Sequence, residues 1–99
     1  MNSVNIVLRQ RICDEPNDFG SGRFIIKEHF SDIKPFIGDC ICDSFWEEPM
    51  QVKSVVIDFE GNCCYIAIED FVAIRGSVEQ YYEAAIKNHG WKDWRQARF

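Results

Sequence analysis

Hydrophobic and polar residues alternate most clearly over residues 53–70, KSVVIDFEGNCCYIAIED. Gly61-Asn62 suits a two-residue hairpin loop, because glycine takes positive φ without steric cost. With the turn there, Phe59 faces Cys64, Ile57 faces Ile66 and Val55 faces Ile68 on one side of the pleat. Glu60, Asp58, Tyr65, Ser54 and Glu69 fall on the other side, around a small pair of Val56 and Ala67. A slip of one residue would expose the whole apolar set, so one face is read as core and the other as solvated.

The other elements are placed relative to this hairpin. Val4, Ile6, Leu8 and Ile12 alternate with Asn5, Arg9 and Arg11, with Val7 as the exception, which predicts a first strand. It should end by Asp14-Glu15-Pro16-Asn17-Asp18, a run dense in turn formers. DFGSG at 18–22 continues as a polar loop, suited to a mobile tip or a contact loop. A second strand is predicted over 23–30, with Phe24, Ile26 and Phe30 on one face and Arg23, Lys27 and His29 on the other. Ser31-Asp32 resembles a helix N-cap, but Pro35 leaves room for no more than a turn, and Phe36-Ile37 is expected to return to the core. A strand is expected near Cys40 to Cys42, and Pro49 should interrupt the stretch after it.

Beyond the hairpin, Phe71-Val72-Ala73-Ile74 extends or bends away from the sheet. Ser77-Val78-Glu79-Gln80 has the capping-box form and predicts a helix over 78–89. Val78, Tyr82, Ala85, Ile86 and His89 form its apolar stripe, with Tyr81 at the edge. Gly90 suits the position after the helix, and Lys87 and His89 suit the negative end of its dipole. Trp91 is expected to cover the helix end, while Trp94 and Phe99 dock on the body or on a partner. Together these elements predict an α+β fold over residues 1–99 as a single globular domain. An antiparallel sheet of four or five strands carries one main C-terminal helix on its apolar face.

Composition narrows the chemistry. The 99 residues are 46% hydrophobic, a globular balance. No apolar run approaches the ~18 residues of a membrane span. MNSVNIVLRQR lacks a basic stretch before its apolar residues, so a cytoplasmic protein without a signal peptide is expected. Five cysteines, Cys13, Cys40, Cys42, Cys63 and Cys64, are an odd count and fit free thiols. Cys63 and Cys64 point to opposite faces of a strand and do not jointly grip a metal. Cys40 and Cys42 share a face but lie too far apart for tetrahedral zinc unless the chain turns. Neither His29 nor His89 has ligand spacing to them, so no metal and no cofactor are expected.

Charge is uneven along the chain. Residues 14–70 hold thirteen acidic and four basic side chains, a net of −9, against three acidic and seven basic elsewhere, a net of +4. This balance disfavours direct binding to a phosphate backbone and favours a basic protein partner; acidity that serves solubility alone is the plainer alternative. The densest stretch is DCICDSFWEE at 39–48. Asp39, Asp43, Glu47 and Glu48 surround Phe45 and Trp46, the composition of a surface for a basic partner. A Trp46 tucked into the core beside a solvated acidic loop fits the same residues. The tail offers Trp94, Arg95 and Arg98 as secondary binding candidates. No Gly-rich phosphate loop, nucleophile elbow or metal-binding His-x-x-x-His is present, so catalysis is not expected.

Small size, a net charge of −5, the α+β pattern and DCICDSFWEE together resemble the immunity proteins of bacterial toxin–immunity systems, of the contact-dependent inhibition or colicin-like kind. The resemblance implies an inhibitor that neutralises a cognate toxin domain, often a basic nuclease, by covering its active site or substrate surface. It assigns no individual residues. The competing readings are a phage-encoded inhibitor or nucleic-acid mimic acting on another basic protein, and a small enzyme subunit.

Overall fold

A computed structural model describes residues 4–15 and 22–96. Among the described residues seven strands and one α-helix occur in order. They are β1 (Val4–Cys13), β2 (Arg23–Ser31), β3 (Cys40–Ile41), β4 (Met50–Asp58), β5 (Cys63–Ile68), β6 (Phe71–Val72), α1 (Val78–Asn88) and β7 (Lys92–Asp93). A single 3-10 turn, Trp94–Gln96, comes after β7. The sheet order is β3-β4-β5-β1-β2-β7, with β6 also on β1.

The expected antiparallel sheet of four or five strands is therefore corrected. The protein is mostly β, and its sheet is mixed, because β1 pairs in parallel with both β5 and β6. β1 has apolar residues on both faces and takes the central position, with Leu8 opposite Lys27 of β2 and opposite Ile66 of β5. Val7, the exception to the alternation of β1, packs with Ile26 and Cys63 under Tyr65 in a second, smaller cluster. The main core lies on the other face, where Ile6, Leu8, Ile12, Ile25 and Ile66 meet α1 residues and Trp91.

The central hairpin forms with a different register. Its loop has four residues, 59–62, because Asp58 Oδ1 accepts the amides of Glu60 and Gly61 (both 3.1 Å) and ends the strand early. Asn62, with φ of 52°, supplies the left-handed position. Ile57 thus faces Cys64 and Val55 faces Ile66, a shift of two residues from the expected pairing. An even shift keeps every side chain on its face, so Cys64, Ile66 and Ile68 are still buried. Phe59 leaves the strand for the loop and is exposed. A β-bulge between Val52 and Ser54 then brings Val52 opposite Ile68.

Two further expectations are corrected. On β2 it is Ile25, between Arg23 and Lys27, that is fully buried against the main core, while Phe24 and Phe30 are exposed. Phe36 and Ile37 do not return to the core; they stay exposed with Ile33 in the link to β3. Pro16 to Ser21, which hold most of the expected polar loop, lie outside the described residues, as do Arg98 and Phe99.

The helix matches its sequence signal closely. Ser77 Oγ accepts the Gln80 amide at 3.1 Å, and Gln80 Oε1 accepts the Ser77 amide at 3.0 Å. Ser77→Ala should therefore lower stability by about 1 kcal/mol in urea unfolding, with the helix otherwise unchanged. At the other end Gly90 turns with φ of 77°, and both His89 and Trp91 donate their amides to the Ala85 carbonyl (3.2 Å each). Trp91 is buried there, over the helix end. Among the described residues no helix is long and apolar enough to cross a membrane.

Candidate functional site

The acidic and aromatic stretch at 39–48 contains β3 and runs on into the link to β4, and the structure splits its six candidate residues. Asp43 turns inward. Its carboxylate pairs with Lys27 Nζ at 2.7 Å and accepts the Trp91 indole N–H and the Phe45 amide, both at 3.0 Å. Lys27 Nζ also donates to the His89 carbonyl at 2.7 Å, so one ion pair ties the loop to β2 and to the end of α1. Burial alone pushes the Asp43 carboxyl up, but the bonds from Lys27, Phe45 and Trp91 outweigh it and hold it below the usual carboxylate range.

Trp46 is also interior, with 7% of its surface exposed. Its indole N–H donates to Gln10 Oε1 at 2.8 Å, and Gln10 Nε2 donates to the Glu69 carbonyl at 2.9 Å. Gln10 occupies an inward position on β1 that alternation would assign to an apolar residue. It is tolerated because its buried amide is bonded through both ends. Of the two readings of Trp46 that the sequence allowed, the core one describes its position.

Asp39 accepts the Phe36 amide at 2.9 Å and lines a separate groove with Phe30, Ile33, Cys40 and Cys42. Glu47 and Glu48 are exposed, and among the described residues neither makes an ion pair. Phe45 is half-buried and stacks on Phe71 with ring centroids 4.7 Å apart. Phe71 in turn meets Tyr81 of α1 at 4.9 Å.

These side chains wall a cleft of about 530 Å³ between the 45–50 loop and the link from β5 to α1. Phe45, Trp46, Glu47 and Glu48 line it from the loop, and Glu69, Asp70, Phe71, Ile74, Arg75 and Tyr81 line it from the link and the helix. Asp39 and Asp43 are not part of it. Glu69 Oε2 accepts the Gln51 amide at 2.6 Å, and Asp70 pairs with Arg11 at 2.9 Å, which leaves Glu47 and Glu48 as the unpaired carboxylates. The sequence reading misses the lining from the link. Glu69-Asp70-Phe71 repeats the acid-and-aromatic composition of Trp46-Glu47-Glu48, and that repetition is its available signal.

No family model, curated protein or solved structure matches this chain. The cleft is therefore read from its own chemistry. Two adjacent free carboxylates, against one arginine, in a cleft shared with stacked aromatic rings favour a cationic, partly apolar group, since a lysine or arginine offers both a charge and a long aliphatic stem.

The secondary candidates sit elsewhere. Trp94 is half-exposed and meets Phe24 edge-on at 6.4 Å, while Arg95 is bonded to buried Asp93. Hydrogen bonds from Arg95, then from Tyr82, hold the Asp93 carboxyl far below its ordinary range despite burial. All five cysteines are free thiols, with Cys40 and Cys42 exposed. Among the described residues no group of three metal-ligating side chains converges. Ser44 Oγ and His89 Nδ1 lie 2.8 Å apart, but among the described residues no carboxylate hydrogen-bonds the imidazole to orient it as a base.

Proposed function

We propose that this chain is an immunity-type inhibitor that acts in the cytoplasm. It binds a basic toxin domain, of the nuclease kind, and blocks it by occluding its active site. The observation that carries this reading is the cleft itself, where the unpaired Glu47 and Glu48 stand beside Phe45, Phe71 and Tyr81. A net of −9 over residues 14–70 gives this part of the chain a negative field that would steer a basic partner. The contact residues shift from those read in the sequence. Glu47, Glu48 and Phe45 face the partner, whereas Asp43 and Trp46 hold the loop that presents them.

The test begins with tagged wild-type chain and Glu47→Lys/Glu48→Lys chain expressed in the native host, with retained proteins identified by mass spectrometry. The wild type should retain a basic protein whose own activity is lost on addition of equimolar chain, and the double variant should retain less of it. A retained partner that is acidic, or that stays fully active when bound, contradicts the reading.

A further inference from the structure

We infer that β4 is a self-pairing edge, through which two copies of this chain join their sheets into one. β4 has nine residues, but β3 pairs only its beginning, at Met50 and Gln51, and the Asp39 carbonyl takes the Val52 amide. From Lys53 to Asp58 the outer side of β4 has no strand partner among the described residues. Natural edges of this length are guarded by charges, proline or a bulge. Here the bulge and Lys53 guard one end and Asp58 the other, while Val55, Val56 and Ile57 between them carry no charge. Val56 is 59% and Ile57 47% exposed, so apolar surface is open on both faces of this edge.

The occupant is identified by self-complementarity. Two identical antiparallel strands joined across a two-fold axis keep each face of the sheet on one side, so opposed residues must share a face. Centring on Val56 sets Val56 against its own copy, Val55 against Ile57 and Ser54 against Asp58. The bulge adds to this match. It turns Lys53 to the same face as Ser54, where both line cavities beside Arg9 and Ala67. Asp58 of each copy thus meets a hydroxyl and an ammonium of the other. In one copy neither Lys53 nor Asp58 makes an ion pair among the described residues; Lys53 donates to Gln51 and Asp58 accepts loop amides. Centring on Val55 instead sets Asp58 against Val52, which Asp39 already occupies. Centring on Ile57 leaves Lys53 and Ser54 unpaired.

Sedimentation velocity of the full chain should show the mass rising from 11.6 kDa toward twice that value as concentration increases. Val56→Lys places two ammonium groups opposite each other at an exposed position. It should raise the dissociation constant about tenfold or more while leaving the circular dichroism unchanged. In a Cys40→Ser/Cys42→Ser background, Val56→Cys should form an intermolecular disulfide under mild oxidation, because opposed residues lie about 4.5–5.5 Å apart at Cα. A wild type that stays at 11.6 kDa up to about 1 mM overturns the inference and leaves the edge to a foreign strand. An equally tight Val56→Lys dimer, or a dimer in which Val56→Cys does not cross-link, overturns it as well.

Discussion

Asp43→Ala is expected to lower the unfolding free energy by about 3–5 kcal/mol, the cost of removing one partner from a buried ion pair. Both groups are withdrawn from water, Asp43 nearly completely and Lys27 largely. Removal of the carboxylate leaves the Lys27 ammonium with the His89 carbonyl as its hydrogen-bond acceptor among the described residues, and strips the Trp91 indole and the Phe45 amide of their acceptor. Asp43→Asn keeps an acceptor for those two donors but not the charge, so its loss should be smaller. The pH dependence arises from the same contacts. Asp43 and Asp93 are both held below their ordinary values, so each contributes stability that is full above the unfolded carboxylate value, about 4, and is lost as pH falls below it. Urea unfolding at neutral pH and at successively lower pH should show a decline in the wild type that is shallower in Asp43→Asn. Equal acid sensitivity in the two proteins would remove Asp43 from the cause.

Trp46→Ala should be comparably severe, about 3–5 kcal/mol, because it empties a large interior volume next to Trp91, whose ring centroid lies 5.8 Å away. It also leaves Gln10 Oε1 without its donor. Trp46→Phe keeps one aromatic ring but loses the donor and part of the volume, so its loss should be smaller than that of Trp46→Ala. Both are read as shifts in the urea midpoint. Trp46→Ala unfolding with the wild type would place the indole outside the core. A large stability loss, in turn, makes this variant unsuited to reading dissociation from a partner, which Phe45 and the two glutamates report instead.

The features legible in the chain are local ones. The capping box at Ser77 and Gln80, the turn at Gly90, the inward face of β5 at Cys64, Ile66 and Ile68 and the break at Pro49 each rest on a few neighbouring residues and form as the local signal implies. The opposite face of β5, read as solvated, instead buries Cys63 with Val7 and Ile26. The parallel pairing of β1 with β5 joins residues about sixty positions apart, and no hairpin signal announces it. Alternation misreads β2 because Ile25 and Ile26 are adjacent apolar residues that serve two different clusters, so the pattern has no single answer there. The candidate site divides in the same way. Glu47 and Glu48 are readable as exposed acids from their place before Pro49. The inward turn of Asp43 depends on Lys27 and Trp91, which only the folded chain brings to it. The rest of the cleft lining needs the long connection from β5 into α1 before Phe71 and Tyr81 can meet Phe45.

The most direct measurement is the association rate between this chain and the basic protein it retains, taken by stopped flow at low and at high salt. Steering by the unpaired carboxylates of the cleft should make the wild-type rate fall steeply as salt rises. Glu47→Lys/Glu48→Lys should associate more slowly at low salt, with a flatter salt dependence, and with unchanged circular dichroism. Identical rates and salt slopes for wild type and double variant would contradict a role for the cleft and move the interface to Trp94 and Arg95.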